Sequence, residues 1–354
     1  MNFKNTPLTK ASLSEANYQT NIIGTNIFII NKAGFNASIN ISEAISNPSD
    51  ENIMLSPELM KRLTMCEKPA QVIIDEKKIT VKEGKSKSSL CKLQAQQPLE
   101  IELSPNNSDT IVVSISEFVD ACKTVMFANS AHSPQTNYFS LIVNNNSLDI
   151  SCCNGFQLAC FSIPCTASNT EEEFSIEGTA LIKLLPILNA ECDNNANSNL
   201  TIYLTKGKSK IVLATENIIA EINYINTVKM KLANIMTDGN REYIEINKNE
   251  LSNAIKRILP FTDKIQSYIT LTLCNGDMML NNNTSISQNQ ETITYTGKSS
   301  FEDTIRINIK LMQDFATCIK QDTMKISIAN SISPIYICSE NNKFKGVLMP
   351  VRKK

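Results

Sequence analysis

Along residues 304–352 the apolar positions change period in an order that predicts an extended lead-in, a helix and two strands. Ile305, Ile307 and Ile309 form the lead-in. Leu311, Met312, Phe315, Ala316 and Ile319 then make a one-sided stripe at helical spacing. Ile326 and Ile328 alternate with polar neighbours, the period of a half-buried strand. Asn330 and Ser331 turn the chain, and Ile335 and Ile337 alternate again. A last apolar run, Val347-Leu348-Met349-Pro350-Val351, stops at Arg352.

The same pattern occurs earlier in the chain. Phe174, Ile176, Leu181, Leu184, Leu185 and Leu188 stand 131 positions before Ile305, Ile307, Met312, Phe315, Ala316 and Ile319. Ile202, Leu204, Ile211 and Leu213 stand 124 positions before Ile326, Ile328, Ile335 and Ile337. Phe118, Ala121, Cys122 and Val125 match Leu251, Ala254, Ile255 and Ile258 at an offset of 133, and Val143, Leu148 and Ile150 match Leu273, Met278 and Leu280 at 130. Four blocks in one order predict a duplicated domain, at a period far longer than the roughly 20–50 residues of a solenoid repeat.

Within the second copy, Ser116-Glu117 opens a helix that runs to about Asn129. Phe139, Leu141 and Val143 form a strand turned at Asn145-Asn146, and Leu148 and Ile150 return. Asn154-Gly155 turns the chain again before Phe156, Leu158, Cys160 and Ile163. Glu171-Glu172-Glu173 is an acidic loop, 179–190 a helix, and Lys206-Gly207-Lys208 a turn between two strands. In the third copy, 248–261 is a helix. A hairpin closes over Asn275-Gly276-Asp277, a strong turn signal, and Ile293 and Tyr295 give a further strand.

The front of the chain is less legible. Residues 9–17 suggest a short helix, and 47–52 read as a polar loop. Ile27 and Ile29, then Phe35, Ala37 and Ile39, predict two strands turned at Lys32-Ala33-Gly34. Ser56-Pro57-Glu58 starts a helix whose stripe is Leu59, Met60, Leu63 and Cys66: serine caps, proline suits the first turn, and a carboxylate suits the positive end. Val72 and Ile74, then Ile79 and Val81, form a hairpin. The order helix, hairpin, helix, hairpin predicts a third, diverged copy. The expected architecture is therefore α+β with three repeat domains: 1–108, 109–233 and 234–354.

Composition adds bounds. The chain has 354 residues, 42% of them hydrophobic, and a net charge of −1, so it can bury cores, and no bulk charge announces nucleic acid. A basic surface balanced by acidic ones is still compatible with that charge. No apolar run reaches the length of a membrane span. Eleven cysteines, an odd count without a secretory leader, predict reduced thiols in a cytoplasm.

Catalytic chemistry is sparse. His132, the single histidine, lies in the polar segment 130–135, where solvated surface is the ordinary reading, and any nucleophile–histidine pair would have to use it. No G-x-x-x-x-G-K-[ST] or G-x-G-x-x-G loop is present among 10 glycines, and no cysteines and histidines have zinc spacing. No cofactor, no metal and no catalytic residue is expected. The helices carry cations beside their apolar stripes: Lys61, Arg62, Lys123, Lys183, Lys256, Arg257, Lys310 and Lys320. Singly these are solvated faces; in a threefold repeat they define one candidate basic surface.

The repeat, the ending Leu348-Met349-Pro350-Val351-Arg352 and the turn Cys153-Asn154-Gly155-Phe156-Gln157-Leu158 resemble the bacterial sliding clamp, the beta subunit of DNA polymerase III. That family typically ends in an M-P-[MV]-R run and carries a T-D-G-H-R-L-like turn in its middle domain. The glycine and leucine match here; the histidine and arginine do not. The resemblance implies two head-to-tail subunits closing a six-domain ring, helices inside and sheets outside, around double-stranded DNA held without regard to sequence by the eight cations. It implies a homodimer, a polymerase, a clamp loader and other proteins bearing a clamp-binding motif as partners, and no membrane. It also implies a peptide groove walled by Phe139, Cys153, Gly155, Phe156, Leu158, Met230, Ile235, Ile332, Pro334, Val347, Met349, Pro350, Val351 and Arg352. Repeat geometry makes 90–95 and 292–297 the candidate subunit contacts. Two other readings compete: a non-ring β-rich repeat protein serving as a binding or adhesion scaffold, and a cysteine hydrolase using His132. Neither accounts for the paired helices and the terminal apolar run.

Overall fold

The computed structural model describes residues 18–31, 34–95, 101, 108–169, 173–194, 198–205, 209–225, 241–262, 267–283 and 288–352. Strands β1 (Tyr18–Gly24), β2 (Asn26–Asn31), β3 (Phe35–Asn40) and β4 (Ser49–Leu55) lead into helix α1 (Pro57–Thr64), followed by β5 (Gln71–Ile74), β6 (Lys78–Glu83) and β7 (Ser86–Cys91). Next come β8 (Ser108–Ser114), α2 (Ile115–Val125), β9 (Tyr138–Asn144), β10 (Ser147–Cys153), β11 (Gln157–Pro164) and β12 (Thr166–Ala167). They are followed by β13 (Glu173–Glu177), α3 (Gly178–Asn194), β14 (Asn199–Thr205), β15 (Lys210–Ala214) and β16 (Ile218–Asn223). The last stretch begins with β17 (Ile244–Asn247), α4 (Lys248–Ile258), β18 (Tyr268–Cys274), β19 (Asp277–Asn283) and β20 (Gln288–Gly297). It ends with β21 (Thr304–Asn308), α5 (Ile309–Cys318), β22 (Thr323–Ser327), β23 (Ile335–Ser339) and β24 (Phe344–Leu348). The result is a mixed fold, mostly antiparallel sheet with few helices.

The offsets in the apolar pattern are offsets of the elements themselves. Helices α2 and α4 differ by 133 at both ends, strands β9 and β18, like β10 and β19, by 130, and β13 and β21 by 131. Strand pairing adds a third instance in front. β4 pairs antiparallel with β1, β13 with β9, and β21 with β18. Each of β4, β13 and β21 runs into a helix, and each helix is followed by antiparallel strands.

Local chemistry sets these junctions. Ser56 lies in extended backbone and its Oγ accepts from Leu59 N at 3.2 Å, with Pro57 in the first turn. Asn247 caps α4, accepting from Asn249 N (2.9 Å) and Glu250 N (3.1 Å). Asn308 caps α5 in the same way, from Lys310 N (3.0 Å) and Leu311 N (3.4 Å). Asn275 (φ 49°) and Gly276 (φ 85°) close the β18–β19 hairpin with both residues left-handed, as a type I′ turn requires.

The chain divides into two compact units. One holds the described parts of Met1–Asp120, Tyr138–Leu148 and Ile163–Asn226. Its main sheet runs β12-β8-β14-β15-β16-β3-β2-β1-β4, with β5-β6-β7 as a small separate sheet. The other holds Ala121–Asn137, Asp149–Ser162 and the described parts of Thr227–Lys354. There the strands run β11-β24-β23-β22-β17-β20-β19-β18-β21.

Several sequence expectations are corrected. Residues 47–52 are not a loop: β4 occupies most of them, its polar first half exposed and its Ile53 and Leu55 buried against β1. Helix α3 runs past 190 to Asn194 and through Pro186, which is exposed. Ile328 is buried but lies beyond the end of β22, and the terminal apolar run leaves its strand after Leu348. Strands β1 and β16 had not been expected. Of the two candidate contacts, Leu90 and Cys91 lie on β7, an end strand paired only with β6 among the described residues, whereas Tyr295, Thr296 and Gly297 are already paired with β17, so within β20 only the first half keeps an open side. The suggested helix at 9–17, the turn residues Lys206, Gly207 and Lys208, Glu171 and Glu172 fall outside the described residues, whereas Glu173 begins β13.

One buried carboxyl gives a pH test of the first unit. Glu191 of α3 is 3% exposed and accepts from Thr215 Oγ1 at 2.6 Å and Asn217 N at 3.3 Å. Burial raises its pKa above the ordinary glutamate value. The folded state therefore binds this proton more tightly than the unfolded state, and stability falls as pH rises from the unfolded value through the raised folded one. Glu191→Gln keeps the shape and one of the two accepting oxygens and removes the ionisation. Its melting temperature should exceed wild type at pH 8, with the gap closing below about pH 4. Parallel thermal melts check it; an equal gap at both pH values would refute it.

Candidate functional site

The second unit gathers the C-terminal ending and the Asn-Gly turn into one surface. Asn154 builds the turn between β10 and β11. Its Oδ1 accepts from Phe156 N (3.0 Å) and Gln157 N (2.9 Å), and its own N–H donates to Gln157 O (3.1 Å). Gly155 sits at φ 88°, a conformation that favours glycine. Phe156 is thereby held 67% exposed. Its carbonyl accepts from Met349 N at 2.9 Å, which fastens the chain end beside the turn.

Register then fixes which side chains share a face. Leu158 opposes Val347, and Val347 opposes Tyr336. Just past the ends of these strands lie Phe156 and Met349, joined by the Met349 N–H to Phe156 O bond, and Pro334, which precedes β23. The inner row is buried: Cys153, Leu158 and Val347 form a cluster with Cys160 and Tyr336 packed against it. The outer row is open, with Phe156 67% and Met349 38% exposed. Ile332, 70% exposed, sits in the turn where Asn330 Oδ1 accepts from Ile332 N and Ser333 N. Val351 N donates to Arg306 O at 2.8 Å, so the run stays anchored through Pro350 and Val351, and Arg352 is exposed. The Arg241 guanidinium lies 3.6 Å from the centre of the Tyr336 ring.

The opposite face of β11 carries a polar link. Gln157 is 2% exposed; its Nε2 donates to Leu311 O (2.9 Å) and to Asp314 Oδ2 (3.1 Å) of α5, and its Oε1 accepts from Asn154 Nδ2 (3.2 Å). Burial raises the Asp314 pKa, and the Gln157 hydrogen bond opposes that rise.

By sequence, the chain matches no protein-family model and no curated protein. By structure it matches the DNA polymerase III subunit beta from Pseudomonas aeruginosa with a TM-score of 0.82 at 17% identity, over 98% of this chain and 97% of that one. The beta subunit from Thermotoga maritima gives 0.85 at 14% identity, over 99% and 97%. A putative beta subunit from Eubacterium rectale gives 0.80 at 17%, over 99% and 98%. The fold is that of the DNA polymerase sliding clamps.

On this clamp fold the expected groove residues divide. Cys153, Gly155, Phe156, Leu158, Ile332, Pro334, Val347, Met349, Pro350, Val351 and Arg352 belong to the surface just described. Phe139 is fully buried in β9, opposite Ile176 of the first unit. Met230 and Ile235 lie outside the described residues. Sequence reasoning placed Asn154 and Gln157 in the turn but gave them no role in the site, for which the polar Asn-x-x-Gln pair inside an apolar stretch was the available signal, and it missed Asp314, Tyr336 and Arg241.

The eight cations divide too. Lys61, Lys123, Lys256, Lys310 and Lys320 are exposed, and Lys183 is half-buried. Arg62 is occupied: it grips Glu83 Oε2 through Nη1 (3.1 Å) and Nη2 (3.2 Å). The other Glu83 oxygen accepts from Glu67 N and Lys68 N just past α1. These contacts, the Lys68 N–H first, hold the Glu83 carboxyl below its usual pKa. Arg257 makes a two-point pair with Glu291, at 2.9 Å and 2.6 Å. His132 is exposed. None of the eleven cysteines is joined in a disulfide, and burial pushes the thiols of Cys122, Cys152 and Cys153 up, away from the reactive thiolate. Among the described residues no cluster is placed to hold a metal, and no helix is long and apolar enough to cross a membrane.

Proposed function

We propose that this chain is a non-catalytic processivity clamp. It acts as three domains (1–108, 109–233 and 234–354), two copies joining head to tail around duplex DNA in the cytoplasm. The observation that carries the reading is the match of nearly the whole chain to sliding-clamp structures, supported by the two-row apolar surface where the chain ends. Among the open strand edges, β7 and the first half of β20 are those that the partner copy would pair, because an unpaired edge otherwise invites aggregation and a head-to-tail contact that closes makes a ring.

Topology does the tethering. A ring needs no tight grip, so its lysines hold DNA weakly, across a screening length of about 8 Å at physiological salt. Backbone-directed attraction is blind to sequence and permits sliding. The apolar surface docks a short segment of the polymerase, of the clamp loader and of other partners in turn, so that polymerase and template meet as if within one molecule. Analytical ultracentrifugation at micromolar concentration should give a dimer, and adding the protein with a loader should lengthen the products of the host polymerase on primed circular DNA. A monomer without effect on synthesis would overturn the proposal.

A further inference from the structure

We infer that Gln157 is the positioning residue of the docking surface: its carboxamide ties the Asn154–Gly155–Phe156 turn to the backbone and carboxylate of α5 and so aims Phe156 at the incoming partner segment. The inference rests on the docking reading above for its functional half and stands on geometry for the rest.

Three observations meet at this side chain. Gln157 is 2% exposed although it directly follows one of the most exposed large apolar residues described, Phe156 at 67%. A carboxamide offers two donor hydrogens and one accepting oxygen, and here both atoms are engaged: Nε2 with Leu311 O and Asp314 Oδ2, Oε1 with Asn154 Nδ2. Asn154 in turn spends its Oδ1 on the backbone N–H groups of Phe156 and Gln157. A continuous chain of hydrogen bonds thus runs from α5 through Gln157 to Asn154 and the Phe156 backbone, and Phe156 O passes it on to Met349 N. Both exposed anchors of the outer row hang on it. A turn of this length with a glycine at its second position has many alternative conformations; a buried amide with all its partners met selects one.

Gln157→Met keeps the length and the burial and deletes the hydrogen bonds. In the free full-length protein, amide hydrogen exchange at Phe156 and Met349 should speed up by about tenfold or more, while the amides of Ala159 and Ile337 in the adjoining strands keep wild-type rates. Unchanged rates at Phe156 and Met349, or loosening of the whole unit, would overturn the positioning role. The binding arm uses griselimycin, the ligand carried by one of the Pseudomonas aeruginosa structures. Calorimetry should show affinity about tenfold weaker for Gln157→Met, and no further loss when Gln157→Met is added to Phe156→Ala. Equal losses in both backgrounds would mean that Gln157 does not act through Phe156. No binding to the wild type would count against the docking reading, and the exchange measurement alone would then decide the role of Gln157.

Discussion

Gly346→Val should cost the protein about 3 kcal/mol or more of stability, the larger part of an overpacked core's usual range. A Cβ at Gly346 would stand 2.4 Å from Phe315 Cε1, 2.9 Å from Phe315 Cδ1 and 3.2 Å from Phe344 Cε1. None of these atoms is free to retreat. Phe315 is fully buried, with Phe127 edge-on at 5.1 Å and Phe344 at 6.1 Å between ring centroids. Gly346 itself is fixed in register between Ala159 of β11 and Ile337 of β23. Alanine would recover about 0.5–1 kcal/mol of backbone preference over glycine and lacks valine's two γ-methyls, and so comes out milder. The decisive measurement is a cycle in urea: Gly346→Val combined with Phe315→Leu should be more stable than Gly346→Val alone, because the smaller side chain vacates the contested volume. Wild-type stability for Gly346→Val would show that the ring moves aside freely. The same glycine lets α5 close on β24, the strand that carries Val347 and leads to Met349.

That glycine also shows why sequence reading reached the fold further than the site. Apolar period located α2, α4 and α5, and the 133-residue offset between α2 and α4, because a helix buries one face whatever lies across from it. Asn275-Gly276 announced its hairpin because left-handed backbone selects those residues. β4 escaped because its first half, Ser49-Asp50-Glu51, is exposed and polar; only pairing with β1 makes it a strand. β16 was legible in the alternation of Ile218, Ala220 and Ile222 and was overlooked. The site is different in kind. The resemblance placed Phe156, Leu158, Val347 and Met349 on one surface, but Gln157 meets Asp314 across 157 positions and Arg62 meets Glu83 across 21. Helical spacing says that Arg62 lies beside its stripe; it does not say that a carboxylate waits there. The cations on α1 and α4 therefore looked equivalent, and the structure sets apart Arg62 and Arg257, whose charge is met by Glu83 and Glu291 whether half-buried (Arg62) or exposed (Arg257).

Phe156→Ala and Met349→Ala should each weaken partner docking by about 30-fold, the effect of deleting an anchor worth about 2 kcal/mol, and together abolish stimulation of the polymerase. Both side chains are already open to solvent in the free chain, at 67% and 38%. Neither supports the core, so melting temperatures should stay close to wild type and the dimer should persist. Leu158→Ala makes the instructive contrast: that side chain is 3% exposed within the Cys153–Val347 cluster, so it should lower stability by about 2 kcal/mol or more as well as docking. The asymmetry follows from the two rows. The inner row is filled by the protein's own packing, and the outer row ends in an aromatic ring and a flexible thioether that are both exposed, a surface that adapts to more than one apolar segment. Measuring polymerase product length on primed circular DNA alongside sedimentation separates the cases. A Phe156→Ala, Met349→Ala double variant that still dimerises and still stimulates synthesis fully would show that partners dock elsewhere on the chain.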